Sequence, residues 1–389
     1  MRNLNKSIVV AALGLATAWA AQAADLKIGL VLPMTGPFAA YGKQIQNGIK
    51  LYLAQNGDTI AGRKVQIILK DDAPGTAGDV SKRLAQELVI QDNVDILAGF
   101  GLTPSAFAVA PIANEAKKPM VVMNAATSAV TTKSNYIVRT SMTLPQITAP
   151  VATWAAKNKI KKVFTVVADY GPGHDAEGQF KKTFSAAGGE IVGEVRVPVK
   201  NPDFAPYLQK VKDTKPDAVF LFVPAGEMGI AFMKGFQERG LAQAGIKLIA
   251  TGDLTDEDVI DSIGEPAIGV INSFHYAQAH KSAENQAFTA AYIKAYPNDR
   301  PNFMAVGGYD GMRLIAETLK KTGGNADAEK FVEAAKGLKW ISPRGPVSID
   351  PVTRDIIQNV YIRRVEKVGN QLQNVEFDQV NDVRDPGKP

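Results

Sequence analysis

Short apolar runs and amphipathic stretches alternate along the chain in the order strand, loop, helix. Leu26-Lys27-Ile28-Gly29-Leu30-Val31-Leu32 predicts a first strand, which runs into the loop signal Pro33-Met34-Thr35-Gly36-Pro37. Ile45, Ile49 and Leu53 then recur every four residues, the stripe of a helix over 41–55. Val65 to Leu69 predicts a second strand, and Val80, Leu84 and Leu88 a second helix. Val94 to Ala98 predicts a third strand closed by Gly99, residues 105–117 a helix, and Met120 to Met123 a fourth strand. This rhythm implies a parallel sheet covered by helices on both faces.

The rhythm restarts after residue 145. Val163 to Val167 predicts a strand, and the helix after Gly173 stops at Gly188-Gly189. Further strands are expected at 191–195, 218–223 and 247–250, with a mainly helical region over 282–322. Val347 to Ile349 and Asn359 to Ile362 predict two late strands, and the polar residues from Asp382 a frayed tail. The expected fold class is therefore α/β with two doubly wound parallel-sheet lobes. A mature chain of about 365 residues is also longer than one hydrophobic core usually supports.

The N-terminus changes the picture of where the protein works. Arg2 and Lys6 precede an apolar run from Ile8 to Ala20, and Ala21-Gln22-Ala23 follows. That order predicts a signal peptide over residues 1–23, cleaved near Ala23, and hence export across the cytoplasmic membrane. The run is shorter than the roughly 20 residues a membrane span needs. No Cys is available near the cut for a lipid anchor. Cleavage lowers 44 Lys+Arg to 42 against 39 Asp+Glu, a net charge of +3. With no basic cluster, that balance argues against nucleic acid as a partner. The absence of Cys removes thiol catalysis, thiolate-bound zinc, iron–sulfur clusters and disulfides.

Catalytic patterns are sparse. His174, His275 and His280 are not spaced as metal ligands, and His174-Asp175-Ala176-Glu177 reads as an acidic helix start. Asp253 to Asp258 lacks the spacing of a calcium loop. No nucleophile elbow, Walker A or dinucleotide fingerprint occurs, so neither metal nor cofactor is expected. Two loops stand out instead: Gly101-Leu102-Thr103-Pro104-Ser105 and Asn124-Ala125-Ala126-Thr127-Ser128, each following a predicted parallel strand. Such loops carry free N–H groups and hydroxyls that cradle a carboxylate, or act only as helix caps and turns.

With these loops in place the chain resembles the Leu/Ile/Val type of periplasmic binding protein that serves ABC transporters. The resemblance rests on Lys27-Ile28-Gly29 leading into Met34 to Gly42, on Asp71-Asp72, on Ala125-Ala126-Thr127, on Asp169-Tyr170-Gly171-Pro172-Gly173 and on Tyr309-Asp310-Gly311. It implies a type I fold, two lobes joined by three hinge crossovers, with a ligand buried between them. The lobes would comprise 24–145 plus 274–344, and 146–273 plus 345–381, leaving a tail at 382–389. The crossovers would fall near 143–147, 270–274 and 344–346. Carried over by position, Thr103, Thr127 and the backbone of Ala125 would hold a carboxylate. Tyr41 would wall the pocket, Tyr170 would close over it, and Asp253 would receive an ammonium. For an aromatic acid, Phe100 and Phe303 would extend the wall, unless they pack in the core. The Tyr that accompanies that acid in amino-acid binders falls in Val223-Pro224-Ala225-Gly226, where there is none.

The resemblance thus implies a monomer that captures a small carboxylate with an apolar body and delivers it to the permease subunits of an importer. Two ligand classes stay open, branched-chain amino acids and aromatic acids of benzoate or phenylpropanoid kind. A periplasmic sensor or an enzyme is the alternative of another class. An enzyme would require His174, His275 and Asp253 to converge in one cleft.

Overall fold

The computed structural model describes residues 24–388. The signal-peptide segment lies outside the described residues. Six strands form the first sheet: β1 (Leu26–Leu32), β2 (Thr59–Ile60), β3 (Arg63–Asp71), β4 (Ile96–Gly99), β5 (Met120–Val122) and β6 (Ile137–Arg139). Their order is β2-β3-β1-β4-β5-β6, parallel except for β2 on β3. The second sheet holds β7 (Lys162–Ala168), β8 (Glu190–Val197), β9 (Ala218–Phe222), β10 (Lys247–Thr251), β11 (Ile271–Phe274), β12 (Lys339–Ser342), β13 (Gly345–Ile349), β14 (Ile356–Val368) and β15 (Gln371–Val383). Its order is β12-β13-β14-β11-β10-β9-β7-β8, with β15 also paired to β14. It is parallel from β11 to β8 and antiparallel in its late strands.

The helices are α1 (Ala39–Asn56), α2 (Gly78–Ile90), α3 (Thr103–Glu115), α4 (Leu144–Lys157), α5 (Gly171–Ala186), α6 (Ala205–Thr214), α7 (Glu227–Glu238), α8 (Ile260–Ile263), α9 (Ala283–Ala295), α10 (Phe303–Lys321) and α11 (Ala328–Ala335). Helices α1, α9, α10 and α11 pack with the first sheet's layer, α2 packs on α3, and α4 and α5 cover the second sheet. The central strands β1, β4, β7 and β9 are almost wholly buried. That is why they read as continuous apolar runs rather than as alternating ones.

Three passages connect the sheets, after β6, after β11, and between α11 and β12. The hairpin partner β12 is bonded to β13 and so belongs to the second sheet, ahead of the switch expected at 344. The tail is not frayed. Asp385 accepts from the Ser128 hydroxyl at 2.5 Å, and Lys388 pairs with the buried Asp355. These partners lie more than two hundred and about thirty residues away, beyond the reach of a compositional reading.

Helices α1 and α10 approach backbone to backbone. A Cβ on Gly48 would fall inside the van der Waals envelope of the Ala305 carbonyl oxygen, and one on Gly308 inside that of Ile45. Gly48→Ala should therefore cost about 1–3 kcal/mol of stability by overpacking. Urea denaturation reads this directly, and an unchanged midpoint would show that the two helices can part freely.

Candidate functional site

The carboxyl ends of parallel strands from both sheets face one cleft, the position where open α/β sheets bind ligands. Its lining includes Tyr41, Thr103, Asn124, Ala125, Tyr170 and Asp253, together with Phe222 and Pro224. The lobes are closed on it, leaving about 20 Å³. The Tyr41 hydroxyl donates to the Ala225 carbonyl at 3.1 Å, and the Ser128 amide donates to Asp175 at 2.7 Å, both from the first lobe to the second.

Two helix N-termini meet here. Thr103 opens α3 and Gly171 opens α5, each followed by a proline suited to the first helical turn. A Cβ on Gly171 would lie 2.6 Å from Thr127 Oγ1 and 3.6 Å from Thr103 Cγ2. Glycine is thus what lets the second lobe close against the first at this point. Unpaired N–H groups and the positive ends of two helix dipoles favour an anion. The Thr127 hydroxyl is buried with no protein partner, and its amide donates to Thr103 Oγ1 at 3.3 Å.

The opposite chemistry sits in the second lobe. Asp253 is buried, and burial pushes its carboxyl up to about 6. The Thr251 hydroxyl, donating at 2.8 Å, and the charge of Arg363 hold it below where burial alone would carry it. Tyr170 and Phe222 lie nearly parallel, with ring centroids 6.2 Å apart at 18°. Burial raises the Tyr41 and Tyr170 phenols far above their ordinary range, so both remain neutral.

Two assignments need correction. Phe100 does not wall the cleft. Its φ of +66° turns it into the left-handed region, and its fully buried side chain packs among Val31, Ala106 and Ala125 in the first lobe's core. Ala125 lines the cleft, but its amide already donates to the Phe100 carbonyl at 2.9 Å. Its carbonyl accepts from Arg139.

Arg139 escaped the sequence reading. Fully buried at the end of β6, it donates to the carbonyls of Ala125, Thr127 and Ser128 and pairs with Asp355 at 2.7 Å. It holds the whole 125–128 loop in place. The signal was an arginine ending the triplet Ile137-Val138-Arg139, too short to register as a strand. Phe222 and Pro224 were also missed, because apolar residues at a strand end look like core.

His174 is half exposed and pairs with Asp169 at 2.7 Å. His275 is buried beside Phe274 and Phe303, where burial and the Arg344 and Arg363 charges lower its basicity. Neither lines the cleft with Asp253. Among the described residues no cluster of His, Asp and Glu is arranged to hold a metal ion, and no helix is long and apolar enough to cross a membrane.

Comparison with known proteins fits this geometry. The chain is 46% identical over 370 residues to the Leu/Ile/Val-binding protein homolog 6 of Brucella melitensis biotype 1, covering 95% of each chain. It is 56% identical to a solute-binding protein of an ABC transporter from Rhodopseudomonas palustris BisB5, solved with 3,4-dihydroxybenzoic acid. That match has a TM-score of 0.91 and covers 94% of this chain and 99% of the other. A second R. palustris solute-binding protein, solved with 4-hydroxybenzoate, is 44% identical at a TM-score of 0.90, again over 94% and 99% of the two chains. The profile of the family described as periplasmic binding protein matches residues 25–370. The chain belongs to the periplasmic binding protein family.

Proposed function

We propose that this protein is the solute-binding component of an ABC-type importer and that its ligand is a hydroxylated aromatic carboxylate. The observation that carries the ligand class is the pairing, in one cleft, of two helix N-termini with a lone buried acid beside parallel aromatic rings. The carboxylate meets the free amides at Thr103 and Gly171 and the Thr127 hydroxyl. The flat ring lies against Tyr170 and Phe222. The ring hydroxyl donates to Asp253. The neighbours crystallised with dihydroxy- and hydroxybenzoate support the same ligand class.

The protein is exported after cleavage near Ala23 and acts as a monomer. Its lobes, divided close to residues 140–143, 275–282 and 336–338, part to admit the ligand and close upon it. Closure is favoured because only then do both lobes touch the ligand, and the closed form is what permease subunits receive.

A branched-chain amino acid is the second reading, favoured by the name of the Brucella relative and by Asp253 as a receiver for ammonium. Calorimetric titration with 4-hydroxybenzoate, 3,4-dihydroxybenzoate, benzoate and leucine separates the two. The hydroxylated acids should bind, and benzoate should bind about 1–3 kcal/mol more weakly because it lacks the hydroxyl that donates to the buried Asp253. Leucine binding with the aromatic acids silent would overturn the proposal.

A further inference from the structure

A second cavity, about 340 Å³, adjoins the ligand cleft on the far side of Tyr41. Both lobes contribute to it: Pro37, Phe38 and Pro74 from the first, and Val199, Ala225 and Met228 from the second. Its lining is mainly apolar, with Lys200 and Glu227 at the exposed rim. Tyr41 and Ala225 meet between the two spaces. Tyr41 lines the cleft, Ala225 lines the chamber, and the Tyr41 hydroxyl donates to the Ala225 carbonyl. On the chamber side the edge of Phe38 meets the Tyr41 ring, with centroids 5.4 Å apart at 66°. The chamber falls within the usual size of small-molecule sites, whereas the closed cleft alone does not.

We infer that Tyr41 sets the length of ligand this protein accepts, and that the chamber behind it is a subsite for the apolar extension of a longer aryl acid. This rests on the aromatic-acid reading. With the phenol in place, the lobes part to admit a single-ring acid into the cleft and then latch over it through Tyr41 and Ala225. With the ring removed, cleft and chamber become continuous. An arylpropenoate, whose ring stands two carbons further from its carboxylate, then extends toward Phe38 and Met228. The chamber offers contact and desolvation but few hydrogen-bond partners, so it suits an apolar spacer or ring rather than a second charge.

The experiment titrates 4-hydroxybenzoate and 4-hydroxycinnamate into the full mature protein, its Tyr41→Ala and Tyr41→Leu variants, and Tyr41→Ala combined with Met228→Trp. Thermal melts establish that each variant is folded, and Tyr41→Leu serves where Tyr41→Ala is not. The ratio of the two affinities should move toward the longer acid by at least about tenfold, the scale of one or two methylenes in an apolar pocket. Filling the chamber with Trp at position 228 should abolish that gain. Two results overturn the inference while sparing the aromatic-acid reading: tight hydroxybenzoate binding by wild type with an unchanged ratio in the Tyr41 variants, or a gain that survives Met228→Trp. Absence of hydroxybenzoate binding by the wild-type protein overturns both.

Discussion

Arg344→Met should lower the free energy of unfolding by about 3–5 kcal/mol, the cost of stranding one member of a buried ion pair. Arg344 and Asp310 are both fully buried. The guanidinium donates to Asp310 Oδ2 through Nε at 3.0 Å and Nη2 at 2.7 Å. It also donates to the Ser141 carbonyl at 3.0 Å, to Gln358 at 2.9 Å and to the Thr140 carbonyl. Asp310 in turn accepts from the Trp340 indole at 2.9 Å and the Ser342 hydroxyl at 2.7 Å. One node thus ties α10 of the first lobe to the passage after β6 and to the β12 and β14 strands of the second sheet. Methionine fills the volume but leaves Asp310 charged and dry. Combining Arg344→Met with Asp310→Leu should recover part of the loss, because the uncompensated charge is gone. Urea denaturation gives the free energies, and Trp340 emission reports whether the node itself has loosened. A loss below about 1 kcal/mol, or additive losses in the double variant, would rule this account out.

Asp310 stands in the sequence as part of Tyr309-Asp310-Gly311, but nothing in the sequence ties it to Arg344 beyond α11 and β12. The same division runs through the molecule. Strands buried on both faces were legible because a mostly apolar stretch, such as Leu26–Leu32, has few other readings. The triplets β5 and β6 sit at the limit of that signal, and β6 fell below it. Tyr41, Thr103, Ala125, Tyr170 and Asp253 line one cleft because the ends of parallel strands converge by topology; a strand-by-strand reading singles out the loops of Thr103 and Ala125, whereas Tyr41, Tyr170 and Asp253 follow only from the family resemblance. Phe100 occupies a strand end too, yet a single left-handed φ sends its ring to the core. Periodicity carries no information about one dihedral. The tail residues Asp385 and Lys388 looked solvated by composition and are instead buried against Ser128 and Asp355. Long-range partners decide such cases.

Asp253→Asn should stabilise the ligand-free protein at neutral pH and weaken its hold on a phenolic ligand. Burial raises the Asp253 carboxyl from 3.8 to about 6 in the folded state. Between those values the folded protein binds the proton more often than the unfolded chain does. Stability from this group therefore falls as pH rises from about 4 to about 6 and stays low above it. A shift of about two units corresponds to about 3 kcal/mol, the upper bound of what Asn relieves at pH 7. The hydrogen bond from Thr251 can persist on the amide oxygen. Asp256, also raised by burial and by the adjacent Glu257, titrates in both proteins, so the difference between wild type and variant across pH 4–7 isolates Asp253. Binding runs the other way. A phenol donating to an ionised carboxylate makes a bond roughly twice as strong as one to a neutral amide. The variant should bind 4-hydroxybenzoate more weakly by about 1 kcal/mol and benzoate almost unchanged. In the wild type, phenol affinity should fall as pH drops below about 6, where the acceptor becomes protonated. Equal losses for both acids would remove Asp253 from the ring hydroxyl, and a stability difference that does not vary with pH would remove it from the linkage. A carboxylate kept charged at its own expense, in a cleft closed by two lobes, is the kind of unfavourable placement that a ligand rather than the fold explains.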